Sequence, residues 1–118
     1  MSDVTILHNK RCSTSRAAMD EIATAGTDAQ VVDYLAHPLD AQALRDLIGK
    51  LEDSATDMVR RDAYFATLGL TDADVATPEQ IVTVLAEHPR LLQRPVLVKG
   101  DRAIIGRPND RVAAFLAD

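Results

Sequence analysis

Cys12 is the only cysteine of the 118-residue chain, and it stands in the run His8-Asn9-Lys10-Arg11-Cys12-Ser13-Thr14-Ser15-Arg16. A short apolar run precedes it and a helical pattern follows, so the thiol is expected where a strand turns into a helix N-terminus. Free backbone N–H groups, the helix dipole and nearby cations all favour a thiolate there. An unperturbed thiol of pKa ~8.5 is only a few per cent ionised at neutral pH, whereas a value near ~6 makes it about 90% thiolate. His8, Lys10, Arg11 and Arg16 are the candidate helpers. The hydroxyls of Ser13, Thr14 and Ser15 can donate to the sulfur or to a bound oxyanion. Free cysteine is often an inert core residue, but a polar, basic loop is a poor place for one. With a single cysteine no disulfide can form within the chain, so redox chemistry at Cys12 needs an outside thiol.

Spacing removes several chemistries. A phosphatase-type loop wants Cys-x5-Arg, and the residue at that spacing is Ala18. A dithiol oxidoreductase wants Cys-x-x-Cys, and here the second position is Ser15, which suits a monothiol mechanism through a mixed disulfide. No G-x-x-x-x-G-K-[ST] phosphate loop is present. His8, His37 and His88 show no metal-ligand spacing, so no metal is expected. His37 and His88 read as helix-flanking or packing residues, and His8 can equally be a satisfied strand-end histidine.

The charges are unevenly spread. The net charge of −5 argues against nucleic-acid binding. Yet the charged residues between Val4 and Met19 are Lys10, Arg11 and Arg16, all basic. Between Pro89 and Pro108 they are Arg90, Arg94, Lys99, Arg102 and Arg107 against Asp101 alone. Two basic stretches in an acidic chain read either as solvated surface or as a pocket for a small anion.

The elements that must position these residues follow from periodicity. Val4-Thr5-Ile6-Leu7 reads as a buried strand and Val31-Val32-Asp33-Tyr34 as a second. Between them lies a helix capped by Ser13 or Thr14 and stopped at Gly26, with Ala18, Met19, Ile22 and Ala25 facing the core. Strand–helix–strand implies a parallel pair. Asp40 caps a helix carrying Leu44, Leu47, Ile48 and Leu51, and a shorter helical piece spans Ala63–Leu68. Thr77-Pro78-Glu79-Gln80 opens another helix with a capping box, lined by Ile81, Val84, Leu85 and His88 and ended by Pro89. Pro95-Val96-Leu97-Val98 and Arg102-Ala103-Ile104-Ile105 pair as a hairpin about Lys99-Gly100-Asp101. Asn109 caps a last helix with Val112, Phe115 and Leu116 inward. The expected fold is α/β: a mixed four-stranded sheet with an all-helical insert between the second and third strands. It forms one domain over 1–118, with a core of 1–38 and 91–118 and an insert of 39–90. The hydrophobic fraction of 47% is ordinary for a soluble protein. No signal peptide or membrane span is expected, and the lone cysteine fits a reducing cytoplasm.

With these residues in place the chain resembles the glutaredoxin-dependent arsenate reductases of the ArsC family. His8-Asn9-x-x-Cys12-x-Thr14-Ser15-Arg16 matches the N-terminal motif, Arg60 in Met58-Val59-Arg60-Arg61 the arginine of the insert, and Arg94-Pro95 and Arg107-Pro108 the two later arginine–proline pairs. Tyr34-Leu35-x-x-Pro38 and Leu68-Gly69-Leu70 are also in register. Lys10 and Ser13 depart from the proline and glycine common in that family.

The resemblance implies a thioredoxin-like fold with a cis Arg94–Pro95 peptide beside the thiol. It implies that Arg60, Arg94 and Arg107 cage arsenate and that Cys12 attacks arsenic. Glutathione is the co-substrate, no cofactor is tightly bound, and glutaredoxin is the protein partner of a cytoplasmic enzyme acting as a monomer. Isolated arginines are more often surface ion pairs, and Arg61, beside Asp57 and Asp62, reads as one. Two alternatives stay open: a monothiol glutathione-dependent reductase of another substrate, and a redox regulator that binds RNA polymerase. Ser15 in place of a second cysteine removes the disulfide switch such a regulator would use.

Overall fold

The computed structural model describes residues 3–118; Met1 and Ser2, part of the expected core, lie outside them. Four strands, β1 (Val4–His8), β2 (Ala29–Asp33), β3 (Val96–Lys99) and β4 (Arg102–Ile105), form one sheet in the order β2-β1-β3-β4. β1 runs parallel to β2 and antiparallel to β3, and β4 is antiparallel to β3. The sheet is therefore mixed, as its sequence pattern requires.

Helices cover both faces, because strand side chains alternate with a period of two. Val4 and Ile6 of β1, Leu97 and Ile104 face α1 (Ser13–Ala25) and α5 (Asp110–Ala117), meeting Ala18, Ile22, Val112 and Phe115. Leu7, Val96, Ala103 and Ile105 point the other way, into a larger core built from the segment between β2 and β3. That segment holds α2 (Ala41–Lys50), α3 (Ala63–Thr67) and α4 (Pro78–Glu87), joined by short 3-10 turns. It supplies Leu44, Leu47, Met58, Ile81 and Leu85 to this core. Among the described residues no helix is long and apolar enough to cross a membrane.

Local signals account for most boundaries. Asp40 accepts from the Ala43 N–H at 2.8 Å, and Thr77 and Gln80 form their reciprocal capping box. Gly26 ends α1 in the left-handed region, at φ 66°. Gly100 and Asp101 make the two-residue turn of the hairpin, and Gly100 alone takes positive φ.

Other expectations need correction. Neither Ser13 nor Thr14 caps α1; the N-cap is Cys12 itself. Ala25, in the last turn of α1, is exposed and not core-facing. Val84 packs partly buried against the core as expected, and Val82 joins Ile81 and Leu85 in full burial on α4. Tyr34 lies beyond β2, and its ring is buried while its hydroxyl meets Asn9. Asn109 precedes α5 but has helical dihedrals and makes no side-chain cap. Arg61 does form an ion pair, but with Asp72 at 3.1 Å; Asp62 goes to Arg60.

Gly106 is the glycine at which an added Cβ would be crowded. A Cβ there would lie 2.9 Å from the Pro95 ring and 3.1 Å from both Leu97 and Val112. Gly106→Ala is expected to destabilise the fold by about 1–3 kcal/mol through overpacking, read as a lower urea midpoint at unchanged m-value.

Candidate active site

Strand register assembles the site. Leu7 pairs with Val96, and Val96 with Ile105. Continuing two residues outward along each strand puts Asn9, Arg94 and Arg107 side by side at one end of the sheet. The Gly106 N–H donates to the Pro95 carbonyl at 2.8 Å, and Arg107 Nε donates to the Arg94 carbonyl at 2.7 Å, so the pairing persists past the strand ends. The Arg94–Pro95 peptide is cis, as expected, and so is Arg107–Pro108.

The thiol is delivered to the same end. Cys12 follows a turn in which its N–H donates to the Asn9 carbonyl at 3.0 Å, and its own carbonyl accepts the first helical bond of α1 from Arg16. Asn9 organises this turn: its Oδ1 accepts from the Arg11 N–H at 2.9 Å, an Asx-type contact, while its Nδ2 donates to Tyr34. Arg16 locks the loop from outside by donating to the Lys10 carbonyl.

Cys12 is 9% exposed. Arg107 Nη2 lies 3.5 Å from its sulfur. Burial by itself would push the thiol up; the Ser15 N–H, the Arg94 guanidinium and the Thr14 N–H together outweigh it and hold the thiol below its ordinary value. The N-cap position explains the amide contribution, because the first N–H groups of a helix have no partner within it. Arg94 Nε is buried with no hydrogen-bond partner among the described residues. A buried, unmatched guanidinium N–H beside a thiolate is the donor an oxyanion would take.

The hydroxyls behave differently from expectation. Ser15 is fully buried, and its Oγ accepts from the Asn9 N–H at 3.1 Å and meets His8 Nδ1 at 2.6 Å. Burial holds the His8 imidazole below its ordinary value, with Asp33 opposing and Arg16 assisting. The Ser13 and Thr14 side chains make no hydrogen bond among the described residues; the helix amides, not the hydroxyls, face the sulfur. Arg16 and Lys10 serve the loop and not the thiol.

Arg60 is near this centre but not in contact with Cys12. Its strand-like segment pairs with the one leading to Arg94: the Arg60 N–H donates to Leu91, and the Gln93 N–H to Met58. Its guanidinium donates to Gln93 Oε1 at 3.1 Å and to Asp62 at 3.4 Å. Pro95 is buried beneath the site. Sequence reasoning passed over Gln93 and placed Asp62 beside Arg61, since neither carries a local signal that it holds Arg60. The Asn9-x-Arg11 spacing could have signalled the Asx turn.

A model of the ArsC family matches residues 7–115. The chain is 37% identical to an arsenate reductase of Neisseria meningitidis serogroup A over 118 residues, 98% of this chain and 100% of the relative. It is 32% identical to an arsenate reductase of Escherichia coli, over 100% of this chain and 84% of that one. A solved structure titled a putative arsenate reductase from Yersinia pestis superposes with a TM-score of 0.84 at 37% identity, covering 95% of this chain and 99% of that one.

The thiol's environment makes a pH prediction. The alkylation rate of Cys12 by iodoacetamide should rise with pH through a midpoint below that of a free thiol. Arg94→Gln removes a donor and a positive charge that favour the thiolate, so the midpoint should move up and the rate at pH 7 fall.

Proposed function

The chain belongs to the ArsC family, and on that premise we propose that it is an arsenate reductase working through a Cys12 adduct, with glutathione and glutaredoxin as external thiols. The observation that carries this reading is the placement of Arg94 and Arg107 against the sulfur of an N-cap cysteine.

The arginines bind the tetrahedral dianion and offset the charge that would repel an anionic nucleophile. The Cys12 thiolate attacks arsenic, an arsenic–oxygen bond breaks, the departing hydroxide takes a proton from solvent and leaves as water, and a sulfur–arsenic bond forms. A glutathione thiolate then bonds to the Cys12 sulfur as the sulfur–arsenic bond breaks. The two sulfurs become a disulfide, and their electron pair takes As(V) to As(III), released as arsenite. Glutaredoxin's thiol removes the glutathionyl group and restores Cys12. Ser15, held by His8 and Asn9, keeps the first turn of α1 aimed at the sulfur throughout.

One observation favours a second reading, a monothiol reductase of another substrate. Arg60, the third member of the arsenate cage, is engaged with Asp62 and Gln93 and does not reach the thiol. Under the arsenate reading Arg60 must exchange these partners for the anion, a small change for the longest of side chains.

Arsenate-dependent NADPH oxidation, with glutathione, glutathione reductase and glutaredoxin present, separates the two. Turnover is expected for the native chain and none for Cys12→Ser. Arg94→Lys and Arg107→Lys should each lower kcat/KM about tenfold or more, since lysine lacks the forked donor geometry. No arsenate-dependent turnover, or full turnover in both lysine variants, would overturn the reading.

A further inference from the structure

Two polar cavities each include one of the arginines beside the thiol, and their cations differ in availability. The first, about 350 Å³, is bounded by Asp53, Asp57, Arg61, Gln93, Arg107 and Arg111. Its arginines are engaged inside the protein. Arg61 is tied to Asp72 and to the Thr56 and Val59 carbonyls, Arg111 to Asp53 at 2.8 Å, and Arg107 to the Arg94 carbonyl and the thiol. The second cleft, about 250 Å³, is bounded by Asn9, Arg11, Leu35, Asp62, Arg90 and Arg94. Here the Arg11 and Arg90 guanidiniums make no ion pair or hydrogen bond among the described residues. Arg90 is steadied only by the Tyr64 ring, 4.1 Å from its guanidinium carbon.

This second cleft adjoins the thiol loop, with Asn9 and Arg94 in its wall. The Asn9 carbonyl accepts from the Cys12 N–H at its back, and the Arg94 guanidinium helps hold the thiol below its ordinary value. Its walls combine two free guanidiniums, one carboxylate at Asp62 and an apolar side chain, Leu35, that is 43% exposed. Such a surface matches a small molecule that carries two or more carboxylates, an ammonium group and a short apolar stem. It does not match the arsenic oxyanion, which needs its donors crowded round the sulfur.

We propose that the cleft between Arg11 and Arg90 is the recognition subsite for the external thiol, a carboxylate-bearing peptide thiol of the glutathione type. Its carboxylates lie on Arg11 and Arg90, its ammonium faces Asp62, and its sulfur is directed past Arg94 to Cys12. The inference rests on the proposed use of an external thiol but not on arsenate. The same subsite binds the oxidised form. In that exchange the Cys12 thiolate attacks one sulfur of the peptide disulfide, the S–S bond breaks, a Cys12 mixed disulfide forms and one peptide thiolate leaves. One disulfide replaces another, so no further oxidant or reductant is needed.

The test is the rate of mixed-disulfide formation at Cys12, followed by intact mass. Glutathione disulfide is compared with bis(2-hydroxyethyl) disulfide, which offers the same bond without charge. The native chain should prefer glutathione disulfide. In the double variant Arg11→Gln, Arg90→Gln that preference should fall about tenfold, equivalent to about 1.4 kcal/mol, and it should shrink in the native chain as salt is raised. An undiminished preference in the variant, or equal slowing with both disulfides, would overturn the subsite. The assay contains no arsenate. A retained, arginine-dependent preference in a protein that fails to turn over arsenate would sink the arsenate reading and leave the subsite standing.

Discussion

The structure depends on one constraint: β3 is antiparallel to both its neighbours. An antiparallel strand begins where its partners end, so the start of β3 meets the ends of β1 and β4. Residues far apart in the chain are thereby brought level, with Asn9, Arg94 and Arg107 in register and the thiol one turn away. A one-residue slip in either pairing would turn Arg94 or Arg107 to the opposite face of the sheet and bury polar groups in its core. The packing of both faces, by Ile6 and Leu97 on one side and Leu7 and Val96 on the other, prevents that slip.

The electrostatics follow from this register. Two guanidiniums placed opposite each other repel, and the fold holds them together beside a sulfur whose charged form relieves the repulsion. Burial works against the thiolate, while helix amides and Arg94 work for it, and the balance falls on the charged side. The same excess of donors over acceptors leaves Arg94 Nε unmatched. A site assembled with surplus positive charge and a surplus donor is organised for an anion before one arrives, and preorganised donors are worth most where water is scarce.

The insert contributes bracing as well as core. Its 58–60 segment pairs with 91–93, so the chain entering Arg94 is held on two sides. Asp53, just beyond α2, accepts from the Ile105 N–H and from Arg111, and Arg111 in turn donates to the Ile105 and Arg107 carbonyls. Both arginine loops are thus fixed by residues of the helical segment. Asp62 shows the economy of this arrangement, since one carboxylate caps α3 and restrains Arg60.

The sequence by itself determined what depends on near neighbours. The strands, the hairpin turn at Gly100, the caps at Asp40 and Thr77, and the place of Cys12 between β1 and α1 are all local consequences of period, propensity and capping. The arginine set was legible only through likeness to a family, because nothing local distinguishes Arg94 from Arg90. Tertiary structure alone decided which cations meet the sulfur. Arg94 and Arg107 do, while Arg16 and Lys10, nearer in sequence, do not. It also decided that backbone amides and not hydroxyls face the thiol, that Ser15 turns to His8, and that Arg60 is restrained by Asp62 and Gln93. The physical reason is that side-chain partners are set by register and packing between distant segments, and an arginine long enough to reach several partners is assigned to one only when the fold closes.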